Sequence, residues 1–138
     1  MKYLLDTGIC IYLIKRRSAV ILKHFKKSIP GDIGISMITL SELAYGVEKS
    51  QSRERNLAAL EEFLIPLEIV PLSLDAAFHY GKIRAVLEKK GKPIGAMDLL
   101  IGAQALALSA TLVTNNVREF SRIAGLQIEN WASEAGHP

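Results

Sequence analysis

The sequence predicts an α/β fold: one domain with a mostly parallel central sheet and helices on both faces. Two observations predict it. Short apolar runs alternate along the chain with longer segments whose apolar residues recur at helical spacing. At 138 residues the chain has the length of a single core, and no linker, repeat or low-complexity tract divides it.

The elements follow in order. Residues 3–6, Tyr-Leu-Leu-Asp, form a short apolar run, read as a buried strand. Thr7 can cap a helix whose basic end, Lys15-Arg16-Arg17, suits a helix C-terminus. Residues 18–28 place apolar side chains at helical spacing between lysines, and Pro30-Gly31 breaks the pattern. Residues 33–36 are a second strand. Residues 38–50 put Leu40, Leu43, Ala44 and Val47 on one helical face. Residues 52–64 open on a Ser cap and carry Leu57, Leu60, Phe63 and Leu64 before Pro66 stops them.

Residues 67–72 are a strand. Residues 73–91 are a helix from a Ser cap to Glu-Lys-Lys-Gly. A loop over 92–96 leads into 97–110, helical and nearly all apolar, hence buried. Residues 111–114 form a strand, 115–120 a loop, and 126–131 a last strand. The domain spans 1–132, with a frayed tail over 133–138.

Composition narrows the function classes. The formal charge of +3 fits a nucleic-acid partner without demonstrating one. A single cysteine, Cys10, excludes an internal disulfide and a cysteine zinc cluster, and its apolar neighbours make it a core residue. No apolar stretch reaches the roughly 20 residues of a membrane span, and the acid at position 6 interrupts any signal-like N-terminus. A cytoplasmic protein with no membrane contact is the expectation. His24, His79 and His137 share no metal-ligand spacing. No phosphate-cradling glycine loop, nucleophile elbow or H-E-x-x-H occurs.

Residues 4–8, Leu-Leu-Asp-Thr-Gly, carry the triplet found at aspartic-protease carboxylates. Those enzymes are all-β and need two such carboxylates; here helices follow and no second copy exists. The acids suggest another chemistry. Ligands of a parallel sheet bind beyond the carboxyl ends of its strands. Asp6 ends the first strand, Glu42 sits in the helix after the second, and Asp98 opens the most apolar helix. Asn115, Asn116 and Glu119 follow the strand at 111–114.

Taken singly, Asp6 reads equally as a helix cap and Asp98 as an acid favoured by a helix N-terminus. As a set on one rim, the carboxylates repel unless a cation neutralises them. Hard oxygen ligands favour Mg²⁺, with Mn²⁺ as a substitute, and a site that activates water against a phosphodiester.

Residues 3–15, 35–50, 92–108 and 112–131 together resemble a PIN-domain ribonuclease, in particular the VapC toxins of bacterial toxin–antitoxin pairs. Ser41–Ser50 and Thr114–Phe120 resemble the subgroup that cuts the anticodon loop of initiator tRNA. The resemblance implies a three-layer α/β/α fold and a Mg²⁺-dependent endoribonuclease that leaves a 5′-phosphate and a 3′-hydroxyl. It also implies a homodimer and inhibition by a VapB-type antitoxin, for which the apolar helices over 38–64 are the expected dock.

By that resemblance Asp6, Glu42, Asp98 and Glu119 are the catalytic acids. Asp6 and Asp98 are direct metal ligands. Glu42 is a ligand or orients the attacking water, and Asn116 completes the metal shell with Glu119. Phosphates would be gripped by Lys15, Arg16, Arg17, Lys23, Lys26, Lys27, Lys89, Lys90 and Lys92, without sequence readout. RNA would be recognised at an unpaired loop.

This chain departs from the family pattern in two places: Gly8 stands where Asn is usual, and Ala96 where Pro is common. Gly8 keeps a second reading open, a PIN-fold module that binds RNA or antitoxin without efficient cleavage. An aspartyl phosphotransfer enzyme is disfavoured, because Gly8 occupies the place of the second Asp in D-x-D.

Overall fold

The computed structural model describes residues 1–29 and 31–132. Pro30, the tail over 133–138 and His137 lie outside the described residues. Among the described residues five strands are separated by single helices or helix pairs: β1 (Tyr3–Leu5), α1 (Thr7–Ile14), α2 (Ala19–Lys27), β2 (Ile33–Ser36), α3 (Met37–Lys49), α4 (Arg53–Leu64), β3 (Glu68–Val70), α5 (Leu74–Lys89), α6 (Ala96–Ala107), β4 (Thr111–Val113), α7 (Val117–Phe120) and β5 (Ile128–Glu129). The sheet order is β3-β2-β1-β4-β5, and every pairing is parallel.

Alternation along the central strands builds three layers. Leu5, Ile35 and Val113 pack into one core with Ile9, Leu13, Ile21, Leu43 and Leu60, so α1–α4 cover that face. Leu4 and Leu112 point the other way, into a second core with Leu99, Ile101, Ala105, Phe120 and Ile123. α5, α6 and α7 cover this face. Leu4 pairs with Leu112, and Leu5 with Val113 on one side and Ile35 on the other, so like-facing residues are register partners. Trp131 is buried, with Tyr3 edge-on at 5.4 Å and His24 stacked at 5.5 Å. His24 therefore has a packing role, as its sequence context suggests.

The structure differs from the sequence expectations at several boundaries. The loop expected over 115–120 contains the single-turn helix α7, because Phe120 turns inward to the second core. β3 and β5 are shorter than expected. They are the edge strands, with one neighbour each. α6 ends at Ala107 rather than 110, since Ser109 turns left-handed at φ 54° and frees Ala110 to lead into β4.

Three caps also differ. Asp6, in extended conformation, caps α1; Thr7 is already its first helical residue. Ser36 caps α3 through the Ile38 N–H, whereas Ser52 makes no side-chain cap bond at α4. Ser73 caps α5 as expected, and Gly91 follows its C-terminus at φ 68°.

One glycine permits the close contact that holds α7 to α6. A Cβ on Gly102 would stand 2.6 Å from the Ile123 methyl and 3.6 Å from the Phe120 ring. Both neighbours are buried and have little room to move. Gly102→Val should therefore destabilise the fold by about 1–3 kcal/mol, the usual cost of overpacking a filled core. Urea unfolding checks this; a midpoint equal to wild type would mean the α6–α7 contact yields freely.

Candidate active site

β1 is central: the chain runs outward from it to β2 and β3, then crosses back to β4 and β5 on its other side. The crevice beyond the carboxyl ends of β1 and β4 is thus the topological switch point, where open α/β sheets bind ligands. Asp6 follows β1 into it and is only 7% exposed. Its carboxylate is held at both oxygens. Oδ1 accepts the Ile9 N–H at 2.8 Å, and Oδ2 accepts the Thr114 hydroxyl at 2.5 Å. Thr114 follows β4, and its own oxygen accepts the Asn116 N–H at 2.9 Å. One side-chain chain therefore joins the ends of the two central strands.

α1 and α3 both begin at this rim. Thr7, in the first turn of α1, donates its hydroxyl to Glu42 Oε1 on α3 at 2.6 Å. The buried Thr39 hydroxyl stands 3.2 Å from the same Thr7 oxygen. α6 runs back toward β4, so its N-terminus also lies at the rim and carries Asp98 in the first turn. On α7, Glu119 Oε2 accepts the Asn116 side-chain amide at 2.8 Å. Its other oxygen, Oε1, is buried and has no hydrogen-bond donor.

The electrostatics join the four acids. Burial raises the Asp6 carboxyl pKa; the hydrogen bonds from Thr114 and Ile9 oppose that shift, and the charge of Glu42 adds to it. Asp98 is pushed up to about 6. Burial is the largest cause, followed by the charge of Glu119 and a hydrogen bond shared with it, then the charges of Asp6 and Glu42. Cys10, buried beneath the site, has its thiol pushed well above the usual range by burial and by Asp6.

Whether these residues suit a divalent cation can be judged from their chemistry. The donors are all carboxylate and amide oxygens, the set preferred by hard cations. With Asp98 ionised, Glu119 Oε1 is a buried acceptor with no donor, which a cation would satisfy. Among the described residues no three Asp, Glu, His or Cys side chains converge closely enough to ligate one ion together. A divalent cation here would take one or two of these carboxylates directly and complete its shell with water, rather than sit in a closed protein cage.

The structure brings Asp6, Glu42, Asp98, Glu119 and Asn116 to one rim. Asn116 differs from the sequence expectation in one respect: its amide nitrogen is engaged with Glu119, so its visible work is to orient that carboxylate. The sequence reading missed Thr7, Thr39 and Thr114. Their signal was present but faint: Thr39 and Thr114 are hydroxyls within apolar runs, and burial there demands a partner. Lys15, Arg16, Arg17, Lys23, Lys26, Lys27, Lys89, Lys90 and Lys92 are all exposed. The ion pairs among the described residues are made by Arg53 and Arg84, so none of these nine cations is neutralised by one.

The fold and this rim match known proteins. The PIN domain family matches residues 3–126. A tRNA(fMet)-specific endonuclease VapC of Shigella flexneri is 43% identical, the alignment covering 96% of this chain and 99% of the relative. Ribonuclease VapC2 of Haemophilus influenzae is 47% identical over 95% and 98%. VapC chains are also found in solved complexes. The chain matched in DNA-bound VapBC from Salmonella typhimurium superposes with a TM-score of 0.90 at 45% identity, covering 95% of this chain and 98% of that one. The one in VapBC2 from Rickettsia felis, bound to a promoter fragment, gives 0.88 at 46% identity over 95% and 99%. The chain belongs to the PIN-domain family and, within it, to the VapC ribonucleases of toxin–antitoxin systems.

The raised Asp98 pKa has a measurable consequence. In cation-free protein, folded Asp98 holds its proton more tightly than the unfolded chain does. The stability it contributes is complete below the ordinary Asp range, about pH 4, and is lost as pH rises through about 6. The melting temperature of cation-free protein should therefore fall between about pH 4 and about pH 6. Mg²⁺ should raise it more at the higher pH, and Asp98→Asn should flatten the pH dependence. Differential scanning calorimetry checks all three; an Asp98→Asn profile parallel to wild type would refute the assignment.

Proposed function

We propose that this VapC-family chain is a Mg²⁺-dependent toxin endoribonuclease that cuts an unpaired loop of tRNA, with initiator tRNA the foremost candidate. Mn²⁺ would substitute for Mg²⁺. The observation that carries the proposal is the cluster of four mutually repelling carboxylates at the switch point of a PIN fold. A tRNA substrate is supported by the Shigella relative, which is named for tRNA(fMet).

In this reading Asp6 and Asp98 hold the cation. Glu42, fixed by Thr7, orients the attacking water or contributes a further oxygen. Glu119, steered by Asn116, offers its donor-free oxygen to the same shell. A bound divalent cation supplies charge neutralisation and polarisation of the scissile phosphate. The protein's own part is positional. Thr114 and the start of α1 clamp Asp6, and α6 presents Asp98 from a helix N-terminus, whose partial positive charge favours the ionised acid. The unpaired lysines and arginines bind phosphate without reading bases.

Inhibition by a VapB-type antitoxin is proposed from the solved relatives, which are VapBC complexes. The α3–α4 face is the proposed dock, with Tyr45 and Ile65 exposed on it. Leu74 and Phe78, one turn apart and both largely exposed on α5, support a homodimer. Among the described residues no helix is long and apolar enough to cross a membrane.

Asp6→Asn and Asp98→Asn should each abolish Mg²⁺-dependent cleavage of total tRNA, a loss of at least about a hundredfold for a direct ligand. Both should leave the far-UV circular dichroism unchanged. Asn caps a helix as well as Asp, and Asp98→Asn removes a repulsion. Full cleavage by either variant would sink the ligand assignment.

Gly8 bears on the non-cleaving alternative. It lies within the first turn of α1, and Asp6 beside it keeps both hydrogen bonds, so Gly8 does not disorder the carboxylate. A Cβ there would meet only Asp6 Oδ1, at 3.6 Å, an ordinary contact. Gly8→Asn should therefore fold normally and raise the cleavage rate by adding a polar group beside Asp6. Steady-state kinetics on tRNA would show it, and an unchanged rate would remove Gly8 from the argument.

A further inference from the structure

Beyond Asp98 in its first turn, helix α6 carries one polar side chain. Gln104 is 1% exposed, and every polar atom of its side chain is engaged. Its Oε1 accepts the hydroxyl of Ser36, itself fully buried at the end of β2. Its Nε2 donates to the backbone carbonyls of Val70 at 3.2 Å and Pro71 at 3.0 Å, where β3 ends. The Ser36 oxygen in turn accepts the Ile38 N–H at 2.9 Å and so caps α3. One buried amide thus ties α6 to the start of α3 and to the last carbonyls of β3.

Neither local propensity nor core packing requires an amide here. An apolar residue of similar volume would fill the space, as five of the eleven other residues of α6 are buried without one. What the amide adds is a fixed relation between two helices that approach the rim separately: α6, carrying Asp98, and α3, carrying Glu42 and Thr39. These helices touch each other only through a small contact, and they lie largely in different cores. We propose that Gln104 is a positioning residue, which sets the separation of Asp98 and Glu42 and thereby the cation affinity of the site.

This inference rests on the acid cluster being a cation site. Gln104 bonds Ser36, Val70 and Pro71 and not the acids, so it orients them through the helices that carry them; loss of groups that orient ligands commonly costs 10–100-fold in affinity. Directional hydrogen bonds specify an arrangement where apolar contacts tolerate sliding, so the effect should fall on the site more than on the global fold.

The test is isothermal titration of Mn²⁺ into the full-length protein, alongside kinetics on tRNA. Gln104→Met keeps the volume and removes the three hydrogen bonds. It should weaken Mn²⁺ binding by about tenfold or more and lower kcat, with KM for tRNA little changed because surface cations grip the RNA. Leu60→Ala, in α4, serves as the control: it destabilises a core remote from Gln104 and should leave Mn²⁺ affinity unaltered. Should Gln104→Met not fold, Ser36→Ala removes one of the same bonds and should give a smaller loss in the same direction.

Wild-type Mn²⁺ affinity in Gln104→Met, or an equal loss in Leu60→Ala, would overturn the positioning role and leave the cation site standing. Absence of Mn²⁺ binding by the wild type, or its persistence in Asp98→Asn, would overturn the cation-site reading and this inference with it.

Discussion

The repulsion among Asp6, Glu42, Asp98 and Glu119 is the constraint around which the rest of the structure is arranged. Carboxylates buried together raise one another's proton affinity, and an undirected cluster would protonate or move apart. Here the fold answers each charge with a specific element. Asp6 receives a backbone N–H and a hydroxyl, Glu42 a hydroxyl, and Glu119 an amide. Asp98 shares a hydrogen bond only with another acid, Glu119, and is pushed up to about 6. The uneven distribution of donors leaves a proton or a cation as the remaining means of relieving the charge, and it locates that need between Asp98 and Glu119, where a buried oxygen also lacks a donor.

This arrangement depends on topology before it depends on side chains. Because β1 is central and its neighbours are reached in opposite directions, the chain segments after β1 and β4 diverge above the sheet and leave a crevice. α1 and α3 begin there, and α6 arrives with its N-terminus there. Four helix starts or strand ends therefore present their first residues to one volume, which is why acids 113 positions apart, Asp6 and Glu119, act as one group. Gly102 contributes by letting the α7 segment lie against α6, and Gln104 by tying α6 to α3 and β3.

Much of this was legible in the sequence because its causes are local. The strands showed as apolar runs at 3–6, 33–36 and 111–114, and the helices as periodic stretches, since both patterns reflect burial on one or two faces. The acids stood out because each interrupts or borders an apolar segment. What was not legible arose from contacts distant along the chain. The short helix α7 forms because Phe120 packs on α6, and the edge strands are short because they have one neighbour each. Thr114 and Thr7 gained their roles only when β4 came beside β1 and α3 beside α1. Gln104 is the clearest case: a lone amide in an apolar helix signals a buried partner, but nothing in the sequence says that the partners are Ser36 and two carbonyls of β3.

Asp6 shows how two readings of one residue can both hold. Helix cap and functional carboxylate looked like alternatives from the sequence; the structure shows the cap, and the proposed cation-holding role is compatible with it on the same side chain. Oδ1 accepts the Ile9 N–H as a cap, which fixes the rotamer, and each carboxylate oxygen retains further lone-pair capacity. The cap also places the carboxylate at the positive end of α1, which favours its ionised form against the penalty of burial. A cap on a solvent-facing helix stabilises only that helix. A cap buried at the switch point, clamped from the neighbouring strand by Thr114, presents a fixed carboxylate to the crevice, which is what the proposed cation-holding role requires. The Asp-Thr-Gly triplet therefore owes its meaning to the parallel strand beside it rather than to its own three residues.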